Sequence, residues 1–443
     1  MPTSKRVFDI VAATLCALIG GSMAVTDSAG AAELRAGTAR VDLTPPLELK
    51  SSLGGYGERM NRPAEGVHDR VFAKALALSD GTRRFVVVTV DIVGFPPAVK
   101  PALVERLADS GLTKDQLLLL PSHSHTSIEM NAINPANTFD IPQIGIYNPR
   151  VFDFVMERMV QVIRDAGREL VPVTVGTSSI AIDGWNRNRR GGAETDRELT
   201  ITRIDRAQGE PLAVLVNFTA HPTFMSGADM LFSGDWPGHL QRTLESLIGA
   251  GVTAMYYNGA EGDQSPVGRA ESGASRWERA EHYGRDLGVL AWQQWQKTPT
   301  RPDVAFAHQR HTITLPERTW HPDFMKTGGA EYGLNEKLLK EMLPQLFPTQ
   351  VDCLSLRVGD LVIVGIPGEM AAALGLKVKS ETARLTGARH PVIGGLADVW
   401  VSYILPAAEY RRGGYESSMS FYGETLGDKI VSGALAGVAK LER

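Results

Sequence analysis

The chain alternates between short runs of apolar, β-favouring residues and longer stretches in which apolar positions recur every three or four residues. Residues 85–93 and 116–121 are near-continuous apolar runs of strand length, as are 211–218 and 254–257. A run from Cys353 to Val358, a Gly359-Asp360 pair and a second run starting at Leu361 spell a β-hairpin. Helical spacing predicts helices over 151–167, 237–248, 276–297, 370–385 and 426–441. Strands apolar at every position must be covered on both faces, so the pattern predicts an α/β fold, a mixed β-sheet core flanked by helices. The Pro/Thr-rich stretch 298–302 is the best internal linker, and 316–350 reads as an insertion carrying one helix within a single domain spanning 33–443.

Several of the apolar runs hand over abruptly to polar clusters. Residues 116–121 lead into Ser122-His123-Ser124-His125, 211–218 into His221-Pro222, 254–257 into the segment 258–266, and the run after Leu361 into Pro367-Gly368-Glu369. In sheets covered by helices, ligands collect beyond strand carboxyl ends, where loops converge over a rigid base.

Residues 1–32 read as an export signal: Lys5-Arg6, an apolar stretch over 11–25, then small residues at 29–32. The apolar stretch is short and glycine-bearing for a membrane span, so an exported protein, periplasmic or secreted, is expected. Cys16 falls in that segment and Cys353 is the other cysteine. The mature chain therefore forms no internal disulfide, and core burial, a ligand or a metal must hold it together. Lys and Arg number 46 against 50 Asp and Glu, a net charge of -4. That balance argues against nucleic acid as a partner. No strongly basic amphipathic helix is apparent to mediate contact with a membrane surface.

His123 and His125, two residues apart after one strand, His221 after a second and Glu369 after a third make a donor set of three imidazoles and a carboxylate. Such a set suits Zn²⁺, a borderline ion that takes nitrogen and oxygen ligands. A lone histidine is more often a hydrogen-bonded core or surface residue, so the weight rests on the set. Ser265, between Asp263-Gln264 and Pro266, reads as a nucleophile, as a group orienting a metal-activated water, or as an ordinary turn serine. Asp91 and Asp235 read equally as carboxylates that fix a histidine tautomer and as strand-end caps. No nucleophile elbow, phosphate-binding loop or dinucleotide fingerprint is present.

Taken in order, Ser122-His-Ser-His125, Asn217-Phe-Thr-Ala-His-Pro222, Ser233-Gly-Asp235, Gly262-Asp-Gln-Ser-Pro266, Pro367-Gly-Glu369 and Tyr403 with Tyr410 and Tyr415 resemble the neutral/alkaline, non-lysosomal ceramidases. The resemblance runs from about residue 36 to about residue 423. It implies zinc held by His123, His221, Glu369 and Tyr403. It also implies Ser265 as the active-site serine, His125 as the second histidine of the pair, and Arg187 and Tyr415 as groups around a substrate amide. The function implied is zinc-dependent hydrolysis of an N-acyl amide, with ceramide or a related long-chain N-acyl lipid as substrate. A transient contact with a membrane surface is expected of a protein acting on such lipids. The other readings to be weighed are a metal-dependent esterase or amidase for another acylated compound, and a noncatalytic exported lipid-binding protein. The chain departs from the family pattern at Thr126-Ser127-Ile128, Asn188-Arg189 and Val267, loops expected to border the substrate. It stops soon after Tyr415, so the expected unit is the catalytic domain without a C-terminal β-sandwich.

Overall fold

Strands that are apolar at every position serve two layers at once. In the computed structural model, which describes residues 33–268 and 273–441, alternate side chains of one sheet enter different cores. Val86, Val88, Leu117 and Leu119 pack with Val155, Met156 and Met159 of the helix Pro149–Arg168. Phe85, Val87, Leu118 and Leu120 point the other way, against Leu354, Leu356 and Ile363 of a second sheet. Two sheets thus pack face to face with helices outside both. The expected export signal, 1–32, lies outside the described residues.

The larger sheet has eight strands: β1 (Arg35–Asp42), β2 (Phe72–Ser79), β3 (Arg84–Val90), β4 (Leu117–Pro121), β5 (Val171–Ala181), β6 (Glu198–Arg206), β7 (Pro211–Phe218) and β8 (Thr253–Asn258). Their order is β8-β7-β6-β5-β1-β2-β3-β4. Only the outer pairs β8/β7 and β3/β4 are parallel; the interior is antiparallel. The second sheet has the order β9-β10-β11-β12, from Phe306–Thr314, Gln350–Val358, Leu361–Gly365 and His390–Gly394. The predicted hairpin is β10/β11, turning at Gly359 with φ +62°.

Helices Asp235–Ile248 and Arg276–Lys297 cover the outer face of β6–β8 through Trp236, Leu240, Tyr283 and Leu287. Helices Glu336–Leu346, Ala372–Thr386 and Leu426–Val438 cover the second sheet. The mixed-sheet architecture is the expected one. Its geometry differs from a parallel sheet in one consequential way. By strand direction alone, β4 and β7 run oppositely, so their carboxyl ends would sit at opposite edges of a flat sheet. The sheet instead curls until its two edges share one core, Met255 and Tyr257 of β8 with Leu118 and Leu120 of β4, and the residues that follow β4 and β7 meet: the His123 and His221 rings lie 4.9 Å apart.

Candidate metal and hydrolytic centre

His123 leaves β4 by two backbone bonds that continue the ladder, Ser122 N–H to Val90 O (2.8 Å) and His123 N–H to Ile92 O (3.0 Å). Its φ is +67°, a left-handed conformation that costs a non-glycine residue about 1–2 kcal/mol and turns the ring inward. The His123 Nδ1–H donates to Val93 O at 2.5 Å. The His221 Nδ1–H donates to Glu261 O at 2.7 Å, and His221 N–H to Gln264 O at 3.0 Å. With both Nδ1 atoms committed to backbone carbonyls, the Nε2 lone pairs of both rings face the same point. This is the tautomer a metal ligand requires. Carbonyl groups fix it, whereas Asp91 accepts from Phe72 N–H and Gln241, and Asp235 from Trp236 and Phe224 N–H.

Glu369 closes the cluster. A two-residue parallel bridge places Glu369 beside Tyr403 in register. Glu369 Oε2 lies 3.0 Å from His221 Nε2 and 3.6 Å from His123 Nε2, and Oε1 accepts the Trp400 indole N–H at 2.8 Å. The Arg189 guanidinium donates to the Tyr403 hydroxyl at 2.9 Å and to Gly262 O at 2.9 Å, and is itself held by Glu416 at 2.7 Å. The four side chains His123, His221, Glu369 and Tyr403 therefore meet in the folded chain. His125 joins them, its Nε2 3.2 Å from His123 Nε2. Its ring is packed against Gly55, where a Cβ would fall 2.3 Å from His125 Nδ1, and against Tyr56 at 5.1 Å between centroids.

The electrostatics follow from burial and charge. Burial raises the Glu369 carboxyl, and the charges and hydrogen bonds of His123 and His221 more than reverse this, leaving it well below the usual carboxylate range. Burial lowers His221 to about 4, with the Arg189 charge adding to the effect. Burial, then the His123 and His221 charges, takes His125 well below its ordinary value. Burial and the Glu369 charge hold the Tyr403 phenol well above its ordinary value, while Arg189 pulls it down. A cation at this point would stabilise the carboxylate, favour the phenolate and accept both lone pairs, so the donor set fits one.

The cluster forms the floor of a cavity of about 1130 Å³, counted to its open mouth. Its walls are predominantly apolar, with Leu339, Met342, Leu343 and Leu346 from one helix facing Val93, Trp400 and Phe421. Tyr415 lies at the rim, 37% exposed, its hydroxyl 3.3 Å from that of Tyr332. Glu129 also lines the wall, its carboxyl pushed up by burial to about 7.

Ser265 and Arg187 sit opposite one another in a short ladder between Asn186–Asn188 and Gln264–Pro266. Ser265 is half-buried and Arg187 exposed, and neither lines the cavity. Two residues carry more of the centre than sequence reasoning gave them. Arg189, noted in the sequence only as a departure from the family pattern, contacts Tyr403, and Glu261, one residue of the polar segment 258–266, holds His221 through its carbonyl. Nothing local marks either residue. A second group, His68, Asp69 and His239, is committed elsewhere: Asp69 already accepts from His68, Ser233, Gly234 N–H and Arg242.

Comparison with known proteins agrees with this architecture. Neutral ceramidase of Pseudomonas aeruginosa is 21% identical over 469 residues, covering 88% of this chain and 69% of that protein. Neutral ceramidase of Mycobacterium tuberculosis is 23% identical over 455 residues, covering 83% of this chain and 71% of that protein. Neutral ceramidase B of Dictyostelium discoideum is 26% identical over 265 residues, covering 54% of this chain and 36% of its own length. The crystal structure of the Pseudomonas aeruginosa enzyme superposes with a TM-score of 0.78 at 18% identity, covering 92% of this chain and 74% of that one, a likeness of fold. The family described as neutral/alkaline non-lysosomal ceramidase, N-terminal, matches residues 34–272 and 337–430. With three quarters of its length matched, the chain belongs to that family.

Proposed function

We propose that this protein is a zinc-dependent amidohydrolase that cleaves the N-acyl amide bond of ceramide or a related long-chain N-acyl lipid, releasing fatty acid and amine. The observation that carries the reading is the cavity, whose apolar walls run down to converging Nε2 lone pairs and a carboxylate. An acyl chain is stabilised by such walls through burial, at roughly 0.8 kcal/mol per CH₂, while its carbonyl reaches the polar floor. Family membership supports the reading.

His123, His221, Glu369 and Tyr403 would hold the ion. When bound, such an ion supplies Lewis acidity and makes water ionisable near neutral pH. Arg189 holds the Tyr403 oxygen toward the centre and favours its anion. His125, neutral and desolvated, is placed to take a proton from the attacking water and hand it to the departing amine. Tyr415, whose phenol burial keeps protonated, is a donor at the cavity rim for the carbonyl oxygen or the amine; one such donor is worth about a hundredfold in rate. The cavity walls exclude bulk water from these groups.

A substrate panel tests the assignment. Long-chain ceramides, other N-acyl amides and matched esters are incubated with the zinc-loaded protein, and fatty acid release is measured. Release from the long-chain amides is expected. Turnover of esters alone, or ligand binding without turnover, would overturn the amidase reading.

A further inference from the structure

Glu261 is fully buried, and among the described residues neither of its carboxylate oxygens has a hydrogen-bond partner. Most buried polar groups are paired, and leaving a carboxylate dry and unpaired costs several kcal/mol. The side chain is also directed at the proposed metal centre: one of its oxygens lies within 4.8 Å of the ligand atoms of both His123 and Glu369. Two carboxyl groups and an imidazole nitrogen thus converge on one point.

The backbone makes room for this placement. A Cβ on Gly395 would fall 2.6 Å from Glu261 Oε2, and 2.1 Å from Gly259 O, so a glycine there lets the carboxylate lie flat against the chain. The loop bearing Glu261 is tied to the ligand strand by Gly262 N–H to Met370 O at 2.9 Å, and closes on itself through Gln264 N–H to Glu261 O at 2.8 Å. The same residue's carbonyl orients His221. Glu261 is therefore fixed at its backbone, while its oxygens have no hydrogen-bond donor among the described residues.

We infer that Glu261 is a further protein ligand of the cation held by His123, His221, Glu369 and Tyr403. The inference rests on the metal-centre reading above. It gives that centre a second carboxylate, which binds a divalent ion more tightly and favours more than four ligands.

Zinc affinity of the full chain, measured by competition with a chromophoric chelator, tests it with three proteins: wild type, Glu369→Gln and Glu261→Gln. Glu261→Gln is expected to weaken zinc about 10- to 100-fold, and Glu369→Gln at least as much. Loss of affinity in Glu369→Gln with none in Glu261→Gln would overturn this inference and leave the metal centre standing; no loss in either would remove the centre itself. A crystal of the zinc-loaded wild type decides the matter should Glu261→Gln not fold. A Glu261 oxygen about 2.0–2.2 Å from zinc is the expected result, and one beyond hydrogen-bond distance would overturn it.

Discussion

At the scale of single residues, the centre is an arrangement of lone pairs set by backbone carbonyls. Arg189 joins Tyr403, Gly262 O and Glu416, so Arg189→Gln should weaken zinc about 10- to 100-fold by chelator competition. Arg187→Gln, exposed two residues away, should leave zinc affinity unchanged, and any contribution it makes to substrate binding would fall on KM. The histidines, Glu369 and Tyr403 were legible as a family pattern, because their types and flanking residues are written locally. Arg189 and Glu261 were not, because their roles depend on which loop crosses which. A run of four residues containing three arginines does not say which of them reaches Tyr403.

At the scale of elements, the helix Glu336–Leu346 forms a wall of the cavity with Leu339, Met342, Leu343 and Leu346 at helical spacing. Leu343→Trp should place extra volume in the apolar part, lowering kcat/KM for long-chain substrates about tenfold at a stability cost of about 1–3 kcal/mol, with short-chain turnover and zinc content retained. Kinetics across acyl lengths measure it. At another helix, Asp235 is fully buried at φ +50°, its carboxyl pushed up by burial to about 7. A raised folded value means the native state binds the proton more tightly. The contribution of Asp235 is thus complete below its unfolded value near 4 and lost as pH rises through about 7, at about 1.4 kcal/mol per pH unit. Asp235→Asn, tolerated in the left-handed region, should flatten the fall in melting temperature between pH 4.5 and 7.5; an unchanged slope would contradict the assignment. The strands that sequence revealed, β3, β4, β7, β8 and the β10/β11 hairpin, are those buried on both faces. β1 and β5, with interleaved Arg, Thr and Ser and partly exposed faces, lack that continuous apolar signal.

At the scale of the whole molecule, the expected helix-covered mixed sheet is present, yet the reason the site forms differs from the expected one. Loops over a parallel sheet would converge by direction; here the curl of a largely antiparallel sheet, whose two edge strands share one core, brings the ends of β4 and β7 together, and the segments after the second sheet's strands set Glu369 beside Tyr403. Strand order and the curl of a sheet are long-range properties that local patterning does not encode. Because the centre joins segments from both sheets, bound metal should stabilise the entire domain. Removal of the ion with a chelator should lower the melting temperature, and zinc should restore it, with a gain that grows as the logarithm of its excess over the dissociation constant.

The central claim is that one cation, gathered by side chains distant in sequence, performs the hydrolysis. Bound metal and turnover of a long-chain ceramide, measured together on wild type and Glu369→Gln, test it most directly. The account predicts about one equivalent of zinc and fatty acid release in the wild type, with both lost in Glu369→Gln. Undiminished hydrolysis by a wild type stripped of metal, or by Glu369→Gln, would contradict it.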